Sequence, residues 1–218
     1  MFSFFIQLLA TDPLAYLWLW RRWRSLWCCI TSRRRRWQRL LGDSTAKLRG
    51  FTGTEPRLHL DTFYLIWLAV FGFAIPTQIP VNAYAFRQGS REALVWWSGP
   101  LAMVLWAFVL FTAYTVLSQF GGDALGGLAL GFAYGASRVL SLAVVFFFPV
   151  PPVAGAKAVY AVGSPEVKRW VSSLEMWMNR TPFGFMIIFV VLSVLGVTGA
   201  ISGFFVQIFV AILGLFGL

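Results

Sequence analysis

The chain has 218 residues, enough for one domain or two small ones. Hydrophobic residues make up 59% and charged residues 12%, against about 25% charged in a soluble domain, and mean hydropathy is +0.73. A soluble globular enzyme, a disordered chain and a disulfide-stapled secreted domain are excluded, and lipid is the expected solvent.

Net charge is +10, and eleven of the 18 basic residues precede residue 60. This asymmetry reads as the positive-inside pattern, which puts the basic N-terminal region on the cytoplasmic side of a bacterial inner membrane, an organellar inner membrane being the alternative. Binding to anionic lipid headgroups is the sharper reading of the same charge, and nucleic acid is not an expected partner. Cys28 and Cys29 are neighbours with no third Cys to complete a zinc site, and read as small apolar residues. Met1 to Leu9 is apolar but short, without a small-residue cleavage pattern.

In chain order, residues 14–41 read as one long helix. Tyr16, Trp20, Trp23, Trp27, Ile30, Trp37 and Leu41 step by four and three, with Arg34 in the remaining slot. Arginines fill the other faces, so an interfacial or partner-docked helix is expected rather than a span, because an arginine at the bilayer centre costs roughly 2.5–3.5 kcal/mol. Residues 42–61 read as a polar loop. The apolar run from Thr62 to Pro80 is interrupted by Pro76 and reads as re-entrant or broken. Ala93 to Leu117 and Ala124 to Phe148 are long enough to span.

The second of these spans contains Gly127, Gly131 and Gly135, which admit a close helix neighbour, either within the protein or at a subunit interface. It also carries Arg138, which reads as an ion-paired or snorkelling residue, or as a ligand for lipid headgroup or quinone oxygens. Pro149 to Pro152 ends that helix. Ser164 and Pro165 form a cap and first position, opening an amphipathic helix with Trp170 and Trp177 on its apolar face. Phe183 to Phe216 is uncharged and too long for one perpendicular span, so a break is expected near Gly196, Gly199 and Gly203. The expected class is an all-α integral membrane protein with three to five transmembrane helices and two amphipathic interfacial helices. It divides into residues 1–61, 62–155 and 156–218.

Four segments carry a resemblance. They are Leu41-Gly42-Asp43-Ser44-Thr45-Ala46-Lys47; Glu55-Pro56-Arg57-Leu58-His59-Leu60-Asp61; Phe71-Gly72-Phe73-Ala74 with Pro80-Val81-Asn82 and Ser98-Gly99-Pro100-Leu101; and Pro149-Val150-Pro151-Pro152. In order and spacing they resemble the site-2 protease family of intramembrane zinc metalloproteases. The resemblance implies a zinc held by a His-Glu-x-x-His helix and a distant Asp, with the Glu as general base. The positions matching that motif are Ile30 to Arg34, with Ile30 and Arg34 in the ligand slots and Thr31 in place of the base. Ala154 stands at the third-ligand position and Phe146 where the family has an Asn.

None of these residues donates to zinc. Guanidinium has no free lone pair, and His59 is the one histidine of the sequence. His59 reads as structural, with a ligand to a haem or chlorophyll-type pigment as the alternative. The expectation is therefore a degenerate pseudoprotease without enzymatic activity, binding no metal and serving as an accessory or scaffold subunit of a larger membrane complex, respiratory or photosynthetic. The alternatives are a regulatory pseudoprotease that binds membrane substrates, and a pigment-, quinone- or lipid-binding subunit. The expected contacts to other membrane subunits and to lipids are Trp20, Trp23, Trp27, Arg34, Trp37, Gly127, Gly131, Gly135, Trp170 and Trp177.

Overall fold

In a computed structural model, residues 36–51, 80–122, 125–181, 184, 188, 191–192 and 194–218 are described. Among them the regular elements are helical. After helical residues 36–40 come α1 (Thr45–Leu48), a 3-10 turn (Ala83–Ala85), α2 (Gly89–Phe120), α3 (Gly126–Phe147), α4 (Ala154–Val162), α5 (Pro165–Arg180) and α6 (Val197–Gly214). The chain divides between Gly99 and Pro100 into two compact units.

Among the described residues three helices, α2, α3 and α6, are long and apolar enough to cross a membrane. At 1.5 Å per residue, α3 runs about 33 Å and α6 about 27 Å, close to a hydrocarbon core of about 30 Å. At 32 residues α2 is longer, about 48 Å, and continues through the internal Pro100. Its first turns carry Arg91 and Glu92 and its apolar run follows them. In hydrocarbon a hydroxyl has no water to bond, so it must find an acceptor in its own helix. Ser98, Thr112, Thr115, Ser141 and Ser202 each donate to a carbonyl three or four residues earlier, at 2.6–3.0 Å.

In the second unit α3 is the central helix. Of its apolar window 44% is buried, against 11% for α6. The burial concentrates in its last turns, from Val139 and Leu140 to Val145 and Phe146. Both α4 and α6 pack on α3, and α4 packs on α5. Phe209 of α6 is 4% exposed and sets its ring edge-on to Phe108 at 5.1 Å between centroids, with Phe111 at 6.0 Å. Phe204 on the same helix is exposed. Exposed apolar side chains on these helices, such as Leu105, Val109 and Phe204, suit contact with lipid rather than water.

The proline run ends α3 as the sequence predicts. Phe148 turns to extended backbone, and Pro149 to Pro152, with a cis Pro151–Pro152 bond, lead into α4. Gly155 lies so close to the carbonyl oxygens of Phe147 and Phe148 that a Cβ there has no room. The cap at α5 is also as expected: Pro165 occupies the first turn, and the Ser164 hydroxyl accepts from the Val167 amide at 3.5 Å. The expected break in the last apolar run falls at Gly196. Its φ of 72° is left-handed, a conformation that costs any L side chain, and α6 starts at the next residue. The expected polar loop after residue 41 contains the short helix α1, whose buried Ala46 anchors it.

Candidate functional site

In the first unit the organising feature is a buried polar node. Asp43 is 2% exposed and Gln38 is fully buried. The Gln38 side-chain amide donates to Asp43 Oδ2 at 2.7 Å and to the Pro80 carbonyl at 2.9 Å. Asp43 Oδ2 also accepts from the Asn82 backbone amide at 2.9 Å, and Oδ1 from the Thr45 amide at 2.8 Å. Asn82 in turn caps the 3-10 turn, its side chain accepting from the Tyr84 amide at 3.1 Å. Burial pushes the Asp43 carboxyl up. The hydrogen bonds from Thr45, Asn82 and Gln38 together outweigh it and hold the carboxyl below its ordinary value of 3.8. Asp43 is thus an anion at neutral pH, and a fully engaged one.

This node joins two of the four segments that carry the family resemblance. Asp43 belongs to the first, and Pro80 and Asn82 to the third, 39 residues further along. A second junction forms in the other unit, where the Pro149–Pro152 turn sets Gly155 against the end of α3. The motif pieces are therefore structural junctions in the parts of the chain that are described.

The expected contact residues distribute as follows. Ile30, Thr31, Arg34, Trp20, Trp23, Trp27 and His59 lie outside the described residues. Trp37 is half exposed beside the node. Trp170 and Trp177 lie two turns apart on α5 and are about half exposed, while Val171 and Met178 on the same helix are buried. Gly127 and Gly131 have open space where a Cβ would stand, and a Cβ at Gly135 would lie 3.5 Å from Leu110 Cδ1. Arg138 is half-buried in the middle of α3. The Lys168 ammonium sits 5.7 Å from the centre of the Tyr160 ring, linking α5 to α4.

The zinc implied by the resemblance can be tested at one of its positions. Ala154 opens α4, is 4% exposed, and presents a methyl group with no lone pair. Among the described residues no group of three or more His, Cys, Asp or Glu side chains converges to hold a metal ion. The described residues therefore do not fit zinc.

The chain is an all-α membrane protein whose joined sequence segments resemble those of site-2 proteases. Over 141 residues, 62% of the chain, it is 30% identical to a protein of Bacillus subtilis (strain 168) named "Putative zinc metalloprotease YwhC". The chain covers 64% of the length of that relative. No family model matches the chain, and no solved structure matches it. The relative supports the site-2-protease resemblance and corrects the expectation of a protein without enzymatic activity, since its name is that of a protease. The physical weakness of that expectation is clear. It placed metal donors by counting back along an assumed helix, whereas a metal site is defined by which donors converge in space.

Sequence reading missed Gln38, Asn82 and Gly155 as structural participants. The signals were present: a Gln one helical turn before a Gly-Asp pair, an Asn closing Pro-Val-Asn, and a Gly shortly after a double proline.

Proposed function

We propose that this chain is a site-2-protease-like membrane protein that engages the transmembrane segment of another protein in intramembrane proteolysis. The observation that carries the reading is the 141-residue similarity to a protein named as a zinc metalloprotease. It is supported by the way Asp43 ties together two of the family-like segments. The sequence holds one His and no His-Glu-x-x-His. A zinc held by this chain would therefore need carboxylate or thiolate donors in place of a second imidazole. The positive-inside pattern of the sequence supports an orientation with the basic N-terminal region on the cytoplasmic face of a bacterial inner membrane. No observation favours the accessory-subunit role expected above.

The test is co-reconstitution of the purified chain in lipid nanodiscs with a single-span peptide carrying a helix-breaking Asn-Pro pair in its membrane segment. Intact-mass spectrometry follows the peptide, and elemental analysis follows the metal. Cleavage within the span, or a chain–peptide complex that survives purification, supports the proposal. A peptide that is neither cut nor retained overturns it.

A further inference from the structure

Among its described residues, the first unit carries a positive surface with little acidic charge to offset it. Arg36, Arg39, Lys47, Arg49, Arg87 and Arg91 are all exposed. Within 36–51 and 80–99 the acidic side chains are Asp43 and Glu92. Asp43 is buried with both oxygens engaged, and Glu92 is half-buried, accepting from the Trp96 indole at 3.3 Å. The ion pair among the described residues, Arg169 with Glu166, lies in the other unit. Between these cations stand exposed apolar side chains: Trp37, Leu40, Leu48 and Tyr84, the last almost completely open.

The polar node decides where this surface lies. Through Asn82 and Pro80 it ties residues 36–51 to the turn that leads into α2 at Gly89. The cations are thereby held beside the end of a membrane-crossing helix, where lipid headgroups begin. Guanidinium and ammonium groups suit headgroup phosphates, and Trp, Tyr and Leu suit the apolar layer just beneath them. A nucleic acid would match the charge but would leave Leu40 and Leu48 without an apolar environment.

We infer that residues 36–51 and 80–91 form a docking surface for the headgroups of anionic phospholipids where α2 enters the bilayer, held in shape by the buried Asp43 node. The surface does not depend on the proteolysis reading, since losing it would remove lipid without touching the peptide assay above.

The test is native mass spectrometry of the full chain in neutral detergent, titrated with equimolar phosphatidylglycerol and phosphatidylcholine. One variant carries Arg39→Gln, Lys47→Gln and Arg49→Gln. A second, of equal charge change, carries Lys168→Gln, Arg169→Gln and Arg180→Gln. At about fivefold per cation, the first loses phosphatidylglycerol affinity on the order of 100-fold. The second stays within a few-fold of the parent, phosphatidylcholine binding is unchanged in both, and the loss shrinks as salt screens the surface. Thermal unfolding separates a folded variant from a collapsed one. If the triple fails to fold, the Lys47→Gln, Arg49→Gln pair gives the same reading at about 25-fold. Equal losses in both variants, no loss in the first, or a single-stranded oligonucleotide that displaces the lipid each overturn the inference.

Discussion

Gln38 and Asp43 are five residues apart and meet side chain to side chain at 2.7 Å inside the first unit. The bond closes the turn between residues 36–40 and α1, and the same two side chains reach Pro80 and Asn82. Asp43→Asn replaces an acceptor oxygen with a donor facing two other donors, the Gln38 amide and the Asn82 backbone. Flipping Gln38 to compensate forfeits its bond to Pro80. The expected cost is about 1–3 kcal/mol, read as a lowered unfolding temperature in detergent by tryptophan fluorescence. A variant as stable as the parent would show that the node does not hold the two segments together.

The same carboxylate sets an acid limit. Its folded pKa is below the ordinary 3.8, so its contribution to stability is fully present above that value. The contribution fades as pH falls through the lower, folded value. Between pH 5 and 8 this group should leave unfolding temperature unchanged, and the gap between parent and Asp43→Asn should close only in strong acid. A gap that varies across neutral pH would assign the titration to another group.

Gly155 is the sharpest steric test in the second unit. An added Cβ would run into the backbone carbonyls of Phe147 and Phe148, which cannot rotate aside as a side chain can. Gly155→Ala should therefore destabilise the chain by several kcal/mol, about the upper end for single substitutions. Gly131→Ala, facing open space, should be within about 0.5 kcal/mol of the parent. Matching unfolding curves for the two variants would mean that the turn after α3 is looser than described.

A third comparison separates packing from transfer. In lipid, moving a ring from membrane to core gains little, so what a buried ring contributes is contact. Phe209 touches Phe108 and Phe111, whereas Phe204 faces outward. Phe209→Ala should cost on the order of 3 kcal/mol, and Phe204→Ala very little, measured by loss of α6 protection from proteolysis. Equal effects would refute the packing of α6 on α2 and α3.

The sequence made the apolar helices legible because lipid imposes a simple rule on length and polarity. The windows Ala93–Leu117 and Ala124–Phe148 fall within or close to α2 and α3, and Ser164-Pro165 and Gly196 mark the starts of α5 and α6 through local chemistry. The short helices α1 and α4 were not legible. Both are held by tertiary anchors, Ala46 under the Asp43 turn and Gly155 against α3, and neither has a run long enough to show a period. The same holds for Gln38. Its partners lie 5 and 42 residues away, and only the second contact is long-range. The expectation of no enzymatic activity rests on residues at counted positions, and the named relative corrects it.

The most direct test of the central claim is energy transfer between the donor-labelled chain and an acceptor-labelled single-span peptide in liposomes, followed as lipid is added to dilute both. Engagement predicts transfer that persists well below the level of random mixing in the bilayer and is competed away by unlabelled peptide. Transfer that falls with lipid dilution as for two unrelated helices, with no change on competition, would contradict the account.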